Sequence, residues 1–363
     1  MRRLGLLLLL LIAAAGACAA WLDHNVSRSY KHYPGNSIFV DIPHGTSRFG
    51  VAEILHRNGV IRSRPAFVVM SYWHPHHVLQ AGEYLFDHAM TERQVFWKIA
   101  GGHIYVHIIQ IPEGWSMFDI ADELEREGVA HREDFLRVAR DPAPIQDLAP
   151  QAKSLEGFLF PSTYQFTRHA TPGQIAATMV RQFRTVWNEL NPNAAATTTA
   201  ENASPSISEI VTMASLVERE TPLSPERPLV AGVFYNRLKR GLPLQCDPTV
   251  QYALALAGRP TLIVRHDDLS IASPYNTYTH PGLPPGPIAN PGEASLRAAI
   301  NPAQSDYMYF VANDTGGHFF AKTLAEHNHN INIYRQRLHN DAVGDPASHN
   351  NGTGSPDKNR SQN

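Results

Sequence analysis

The chain has 363 residues, of which 43% are hydrophobic and 18% charged, as is typical of a globular protein with two domains and some additional segments. Its formal net charge of -2 gives no electrostatic basis for binding nucleic acid, so we exclude that class of partner. The two cysteines, Cys18 and Cys246, are far apart in the sequence, and we predict no disulfide. The histidines lack metal-ligand spacing. We interpret their tightest group, residues 74–77, as a polar loop rather than a metal site, and we predict no metal or cofactor.

An apolar run over residues 4–22 follows two arginines at the N-terminus. Its length is sufficient to cross a hydrocarbon core of ~30 Å, so we predict a single transmembrane anchor. The positive-inside rule keeps residues 1–3 in the cytoplasm and predicts an inner-membrane protein whose remaining domains are periplasmic. Two alternatives are a signal peptide cleaved within the small residues near Cys18 and a lipoprotein modified at Cys18. The length of the run favours the anchor, and Ala15 stands where a lipoprotein usually has a larger aliphatic residue.

The exported part begins with a polar stretch, residues 23–36, which we interpret as a spacer next to the membrane. An internal repeat follows, in which I-P-H-G-T-S-R-F-G-V-A-E-I-L-H-R-N-G-V from Ile42 matches I-P-E-G-W-S-M-F-D-I-A-D-E-L-E-R-E-G-V from Ile111 without gaps. Each copy predicts a strand, a turn and a helix. In each copy a serine can cap the helix and a glycine can end it with a positive φ: Ser47 and Gly59 in the first, Ser116 and Gly128 in the second.

Further elements complete a small α+β domain over residues 37–150. We predict a second helix after each repeat and, between the repeats, two strands joined by a helix. The second helices cover residues 65–72 and 133–139, the strands 81–86 and 103–111, and the joining helix 91–100. Such strand-helix-helix units resemble the LysM-like modules that bind glycan in bacterial cell walls. The alternative is a repeated α+β scaffold that binds no ligand.

A second, mainly helical domain is predicted over residues 155–340. Its helices cover residues 171–190, 208–220, 225–240, 293–300 and 324–339, and a β-hairpin joins strands 307–312 and 318–322. Residues 191–205 are of low complexity and are predicted to form a flexible surface insertion, and the tail over residues 341–363 is predicted to be disordered. The segment 273–291, rich in Pro and Gly, is too long to be an idle connection. The predicted fold class is therefore α+β with one N-terminal membrane helix.

The helix over residues 208–220 ends in two carboxylates, Glu218 and Glu220, just before Pro222. Apolar residues cover most of its circumference, which predicts a largely buried helix. Burial disfavours the charged form of a carboxyl group and raises its pKa, as a general acid requires. The two glutamates point about 200° apart, so they cannot act on the same substrate atom. Each lies at an edge of the apolar arc, and periodicity does not choose between them.

Several motifs accompany this helix along the chain. They are L-E-G-F-L-F-P-S-T-Y from Leu155, A-S-L-V-E-R-E-T from Ala214, V-F-Y-N-R-L from Val233, L-Q-C-D-P-T-V-Q-Y from Leu244, S-P-Y-N-T-Y from Ser273, G-L-P-P-G-P-I-A-N-P from Gly282, Y-F-V-A-N from Tyr309 and G-G-H-F-F from Gly316. In this order they resemble the MltG-type (YceG-like) endolytic murein transglycosylases over residues 37–338. In that family the catalytic glutamate is the second of the pair. The resemblance therefore implies Glu220 as the catalytic residue and leaves Glu218 to orient or tune the site.

The resemblance implies a lytic transglycosylase that cleaves the bond between N-acetylmuramic acid and N-acetylglucosamine inside nascent peptidoglycan strands. Glu220 would protonate the glycosidic oxygen and then take the proton from the muramyl C6 hydroxyl. That hydroxyl closes on C1, which leaves a 1,6-anhydro end and terminates elongation of the glycan. The implied partners are peptidoglycan strands, and penicillin-binding proteins or glycan polymerases at the membrane.

Two other functions remain open from the residues alone. The first is a peptidoglycan muramidase, a hydrolase in which Glu218 or Asp247 supplies a second carboxylate beside Glu220. The second is a non-catalytic wall-binding scaffold that uses the repeat domain. The intact glutamate pair and the Tyr-Asn-Thr-Tyr loop favour an enzyme over the scaffold.

The remaining motif residues are predicted to bind sugar. Tyr275 and Tyr278 can stack on pyranose faces or donate hydroxyl hydrogen bonds. Four polar side chains can recognise acetamido and hydroxyl groups: Asn236, Gln245, Asn276 and Thr277. Asp247 either tunes the site or caps the turn at Pro248. Residues 282–287 form either a stiff rim or a structural loop. His318 either reaches the cleft or is satisfied within the hairpin, and we favour the second interpretation.

Overall fold

The computed structural model describes residues 2–190 and 205–344, with side chains over residues 6–190 and 205–337. The predictions for residue 1, for the insertion at 191–204 and for the tail from residue 345 lie outside the described residues. Within them the chain forms twelve α-helices and three two-stranded sheets, which confirms the mixed α+β class.

The helices begin and end close to the predicted positions. They are α1 (Arg2–Ser27), α2 (Arg48–Arg57), α3 (Arg64–Trp73), α4 (Glu92–Ala100), α5 (Met117–Arg126), α6 (Arg132–Ala139), α7 (Pro172–Leu190), α8 (Ile207–Glu220), α9 (Arg227–Lys239), α10 (Asp247–Leu256), α11 (Glu293–Ile300) and α12 (Leu324–Gly344). Helix α12 runs beyond the predicted residue 339, so residues 341–344 are helical and the predicted start of the disordered tail was wrong.

The strands are shorter than predicted. They are β1 (Ile38–Ile42), β2 (Gly82–Phe86), β3 (His107–Ile111), β4 (Ser162–Phe166), β5 (Tyr309–Ala312) and β6 (His318–Ala321). They pair as β1 with β2, β3 with β4, and β5 with β6. The strand predicted from residue 103 begins only at His107, because Gly102 adopts a positive φ of 66° and turns the chain after α4.

The chain folds into two compact units that are interleaved along the sequence. The first contains the residues up to Gln110 together with residues 122–132 and 163–175, and the second contains residues 111–121, 133–162 and those from Ala176 onward. We predicted consecutive domains over 37–150 and 155–340. The observed division differs because it falls within the second repeat, whose residues are shared between the two units.

The repeat forms the predicted strand, turn and helices in both copies. In the first copy Ser47 caps α2 by accepting from the backbone N–H of Gly50, and Gly59 has a φ of 70°. A side chain at Gly59 would place its Cβ 2.3 Å from the carbonyl oxygen of His32, so only glycine fits there. In the second copy Ser116 accepts from the backbone N–H of Asp119 at 3.3 Å, and Gly128 also has a positive φ.

Residues 23–36 belong to the first unit, so their prediction as a spacer next to the membrane was wrong. Leu22, Val26 and Tyr33 are buried in its hydrophobic core, and Tyr30 forms a bridge with Met90. The polar residues of this stretch concealed the pattern. Leu22 and Val26 are four residues apart and therefore lie on one face of α1, which packs against α3 and α4.

Helix α1 contains a segment, Leu6–Ser27, that is long and apolar enough to cross a membrane. The side chains from Leu6 to Ile12 are all at least 58% exposed, so nothing in the described chain covers them. A membrane anchor and a signal sequence both meet this description.

Helix α8 lies at the centre of the second unit, against α9, α10 and α11. Ser206 and Glu209 form a capping box at its start, and the helix ends where Thr221 becomes extended before Pro222. Two residues of its polar strip, Thr212 and Ser215, are buried, and Ser215 accepts from the backbone N–H of Ile288 at 3.1 Å.

The loop at Gly157 also packs closely against α8. Gly157 has a φ of 85°, and a Cβ there would lie 2.5 Å from Pro287 and 2.8 Å from Val211 of the helix. The first family motif and the proline-rich motif are thus held against the same helix.

Candidate active site

The two glutamates at the end of α8 have different surroundings. Glu218 accepts from Arg227 at 2.8 Å and from the backbone N–H of Gly292 at 3.0 Å. The side chains of Glu218 and Arg227 are each only 5% exposed. Burial raises the pKa of Glu218, while the Gly292 N–H and the Arg227 charge oppose that rise. Both carboxylate oxygens of Glu218 are therefore occupied within the fold.

Arg227 and Arg219 bind the end of α8 to the start of the second repeat. Arg227 also lies 3.4 Å from Glu113, and Arg219 donates to the carbonyl oxygen of Gly114 at 3.2 Å. Glu220 thus projects from a helix end that Arg219 and Arg227 hold on one side.

Glu220 lies half-buried on the other side of α8, beside the segment that leads into α10. Its carboxyl group lies beside the thiol of Cys246, which acts to lower its pKa. Burial raises the pKa of Glu220, and the negative charge of Asp247 raises it further, while Cys246, His318 and Arg219 act in the opposite direction. A thiol is a weak donor, so Glu220 lacks the strong partner that Glu218 has.

A strained turn brings Cys246 and Asp247 to this position. Gln245 has a φ of 55° and is the single non-glycine residue with a positive φ in the part of the chain that the structure describes. Its backbone N–H donates to the carbonyl of Thr277 at 3.2 Å. The hydroxyl of Thr277 accepts from the N–H of Cys246 at 3.0 Å, which fixes the thiol beside Glu220.

Asp247 is the first residue of α10, is exposed, and accepts a short hydrogen bond from the hydroxyl of Tyr278. Burial and this hydrogen bond raise the pKa of Tyr278, so its hydroxyl remains a donor at neutral pH. The structure therefore places both residues next to Glu220. Asp247 has an electrostatic effect on Glu220, which favours the tuning role, and its carboxylate bonds to Tyr278 rather than capping the start of α10.

Three of the predicted sugar-binding residues use their polar groups within the fold. Asn236 donates to the carbonyl oxygens of Ser305 and Tyr307, at 2.7 and 2.9 Å. Asn276 is fully buried, and its amide donates to two carbonyls of the preceding loop. Thr277 is also buried, and its hydroxyl and carbonyl oxygens accept from the backbone N–H groups of Cys246 and Gln245. Contact of these residues with substrate stays a prediction, while their structural role in shaping the loops is evident.

Gln245 and Tyr275 are more accessible. Gln245 is exposed and its amide oxygen accepts from Arg237 at 2.6 Å. Tyr275 lines a cavity of about 600 Å³ together with Lys153, Phe158, Thr212 and the predicted rim from Leu283 to Pro287. The structure thus brings the rim and Tyr275 together around one open volume.

A pair that the sequence did not predict lies near Glu220. Glu226 lies 2.7 Å from Nδ1 of His318, so this hairpin histidine is satisfied on that side, and the charge of His318 acts on Glu220. No motif indicated Glu226, which precedes α9 as an ordinary polar residue in sequence. Its partner is 92 residues away.

A buried carboxylate, Glu156, also escaped prediction although it lies in the first family motif. It accepts from the backbone N–H of Met117 at 3.0 Å and from the Asn290 amide at 2.9 Å. Burial raises its pKa to about 8. An acidic residue within the apolar run L-E-G-F-L-F was the signal that could have identified it. Within the described ranges, no group of three His, Cys, Asp or Glu side chains is arranged to hold a metal ion.

Comparison with known proteins identifies the family to which this fold and these site residues belong. The chain belongs to the YceG-like family, whose sequence profile matches residues 40–333. It is 35% identical to an endolytic murein transglycosylase of Bacillus subtilis (strain 168) over 312 residues, which cover 80% of this chain and 83% of that protein.

Two further proteins are similar over a comparable share of the chain. An endolytic murein transglycosylase of Streptococcus pneumoniae (strain D39) is 28% identical over 324 residues, which cover 81% of this chain and 58% of that protein. The crystal structure of a yceG-like protein from Listeria monocytogenes superposes with a TM-score of 0.54 at 33% identity. It covers 81% of this chain and 98% of that chain.

Proposed function

We propose that this protein is an endolytic murein transglycosylase in which Glu220 is the general acid. The observation that carries the proposal is the contrast between the two glutamates: Glu218 is paired with Arg227, whereas Glu220 is half-buried beside a weakly donating thiol. A carboxyl group that is to donate a proton near neutral pH needs this second kind of environment. The family and its curated relatives support the reaction.

The reaction begins with protonation of the glycosidic oxygen by Glu220, as the bond between C1 of N-acetylmuramic acid and that oxygen breaks. The muramyl C6 hydroxyl attacks C1, so a 1,6-anhydro ring forms and no water is consumed. A base must take the proton of that hydroxyl, and the Glu220 carboxylate left by the first step is one such base. Glu218, bound to Arg227 and Gly292, is a positioning residue that fixes the end of α8.

The glycan is proposed to lie along the exposed face of Tyr275 and Tyr278. Tyr278 presents an aromatic ring beside Asp247, and Tyr275 opens onto the cavity bordered by residues 283–287. Aromatic faces and fixed polar groups are the usual components of sugar sites. Gln245 is the predicted polar residue that is exposed enough to contact a sugar.

Helix α1 is proposed to anchor the protein in the inner membrane, with both units on the periplasmic side. The repeat units, which resemble LysM-like modules, would then hold glycan near the bilayer. Newly made strands are found there, and penicillin-binding proteins or glycan polymerases are the partners that this position implies.

The identity of the products tests this function. The protein is incubated with uncrosslinked peptidoglycan strands in water enriched in ¹⁸O, and the products are analysed by mass spectrometry. We expect internal fragments that end in 1,6-anhydromuramic acid and contain no ¹⁸O, because the attacking oxygen comes from the substrate. Reducing ends that carry one ¹⁸O would identify a muramidase, and intact strands would favour a wall-binding scaffold.

Removal of the anchor is expected to separate catalysis from its location. A variant that lacks residues 4–20 retains Leu22 and Val26, which are buried in the first unit. Its rate on soluble glycan should match that of the full chain, while glycan strands in cells should change in length distribution, measured by chromatography of released strands. An unrelated transmembrane helix in place of residues 4–20 should restore the distribution. Unchanged strand lengths in the truncated strain would contradict the role of the anchor.

A further inference from the structure

Glu226 and His318 form a carboxylate–imidazole pair that the proposed mechanism does not use. Oε2 of Glu226 lies 2.7 Å from Nδ1 of His318, and Oε1 accepts from the backbone N–H of His318 at 3.0 Å. The two side chains are 18% and 11% exposed. The backbone contact holds Glu226 beside His318, and the Nδ1 contact gives the largely buried imidazole ring one defined orientation.

A third contact places this pair at the end of α8. The hydroxyl of Thr221 donates to Oε2 of Glu226 at 3.4 Å, and Thr221 directly follows Glu220. Glu226 therefore joins the first residue of β6 to the residue after the proposed acid. The charge that His318 carries once it is protonated acts on the carboxyl group of Glu220.

The direction of the hydrogen bond within the pair follows from Glu226. Burial acts to raise the pKa of Glu226, but hydrogen bonds from His318 and Thr221, together with the charge of His318 when it is protonated, outweigh burial and the pKa is lowered. An ionised carboxylate only accepts hydrogen bonds, so Nδ1 of His318 carries a proton towards it. In the neutral ring Nε2 is then an acceptor, and no residue in the described part of the chain forms a hydrogen bond to it.

We propose that His318, oriented by Glu226, is the general base that accepts the proton of the muramyl C6 hydroxyl. This assignment rests on the proposed function and moves the second proton transfer from Glu220 to His318. A base whose orientation is fixed by a carboxylate is a recurring arrangement for activating a hydroxyl group.

The proton and electron transfers balance without a further reactant. The C6 hydroxyl gives its proton to Nε2 of His318, and its oxygen forms a bond to C1. The bond from C1 to the glycosidic oxygen breaks, and that oxygen takes the proton of Glu220. The resulting imidazolium and carboxylate exchange one proton, directly or through solvent, when the products leave.

The test uses chemical rescue of His318→Ala in the full-length protein. We expect kcat on uncrosslinked glycan strands to fall by about 10²–10⁴-fold with little change in KM, since the base acts in the chemical step. Imidazole added to the assay should restore activity, and a series of imidazoles of similar size should restore it in proportion to their basicity. His329→Ala, at an exposed position of α12, is the matched control and should retain the parent rate.

Three results would overturn the assignment: a parent-like kcat in His318→Ala, a loss confined to KM, or a rescue that is independent of basicity. If His318→Ala does not fold, Glu226→Gln replaces it, and we expect its kcat to fall at least tenfold at unchanged KM because the ring loses its orientation. A parent-like kcat in that variant would also exclude the base. A failure of the proposed function is recognised separately, because the parent protein would then yield no 1,6-anhydro ends.

Discussion

Glu220→Gln is expected to lower the rate of glycan cleavage by about 10²–10⁴-fold, the range that a general acid contributes. Glutamine has a similar shape and can retain a contact with Cys246, but it has no proton to give to the glycosidic oxygen. The measurement is the rate of release of 1,6-anhydro fragments from uncrosslinked strands, with thermal unfolding to show that the variant is folded.

The matched control is Glu189→Gln, the same substitution at an exposed position of the last turn of α7. It should retain the parent rate. A Glu220→Gln protein that cleaves glycan as fast as the parent would remove Glu220 from the mechanism.

The pH dependence of the parent rate provides a second measurement on the same residue. Burial raises the pKa of Glu220, so its protonated form persists to a higher pH than that of an ordinary glutamate. As the pH rises through this raised pKa the acid is lost and kcat should fall. A fall centred at or below the ordinary value of about 4.3 would show that Glu220 is not the acid.

Arg227→Met is expected to lower the free energy of unfolding by about 3–5 kcal/mol, because it leaves the charge of Glu218 buried without its partner. Both side chains are 5% exposed, so water cannot replace the lost contact. The measurement is urea unfolding of the detergent-solubilised protein. The double variant with Glu218→Gln should recover a large part of the loss, since it removes the unpaired charge.

An exposed pair of the same chemistry serves as the control. Arg297 and Glu293 are paired on α11 and are 62% and 53% exposed. Arg297→Met should therefore change the unfolding free energy by less than about 1 kcal/mol. Equal losses in Arg227→Met and Arg297→Met would show that the buried pair does not hold the end of α8.

The sequence was sufficient to predict those elements whose position depends only on their own residues. The spacing of apolar residues predicted α8, and Pro222 predicted its end, because a helix period and a helix stop are both local properties. The repeat likewise predicted its caps at Ser47 and Ser116 and its turns at Gly59 and Gly128. The same approach failed for residues 23–36, where Val26, together with the preceding Leu22, is buried on the face of α1 that packs against α3 and α4.

The environment of each site residue depended on segments distant in sequence. The carboxylate of Glu218 accepts from the backbone N–H of Gly292, which lies 74 residues away. Cys246 lies beside Glu220 because a contact with Thr277 fixes its turn. Asn236 and Asn276 were predicted to face a sugar because their side chains are polar. The loops carry carbonyl groups that need donors once buried, and these amides supply them.

The sequence by itself determined the family, the position of a buried helix that ends in two carboxylates, and the repeat in the first half of the chain. Only the tertiary structure decided which carboxylate is paired with an arginine, and it also brought Glu226 and His318 to the end of α8. The physical reason is that the pKa and availability of a side chain are set by desolvation and by the charges that surround it. Those neighbours come from segments that meet only when the chain is folded.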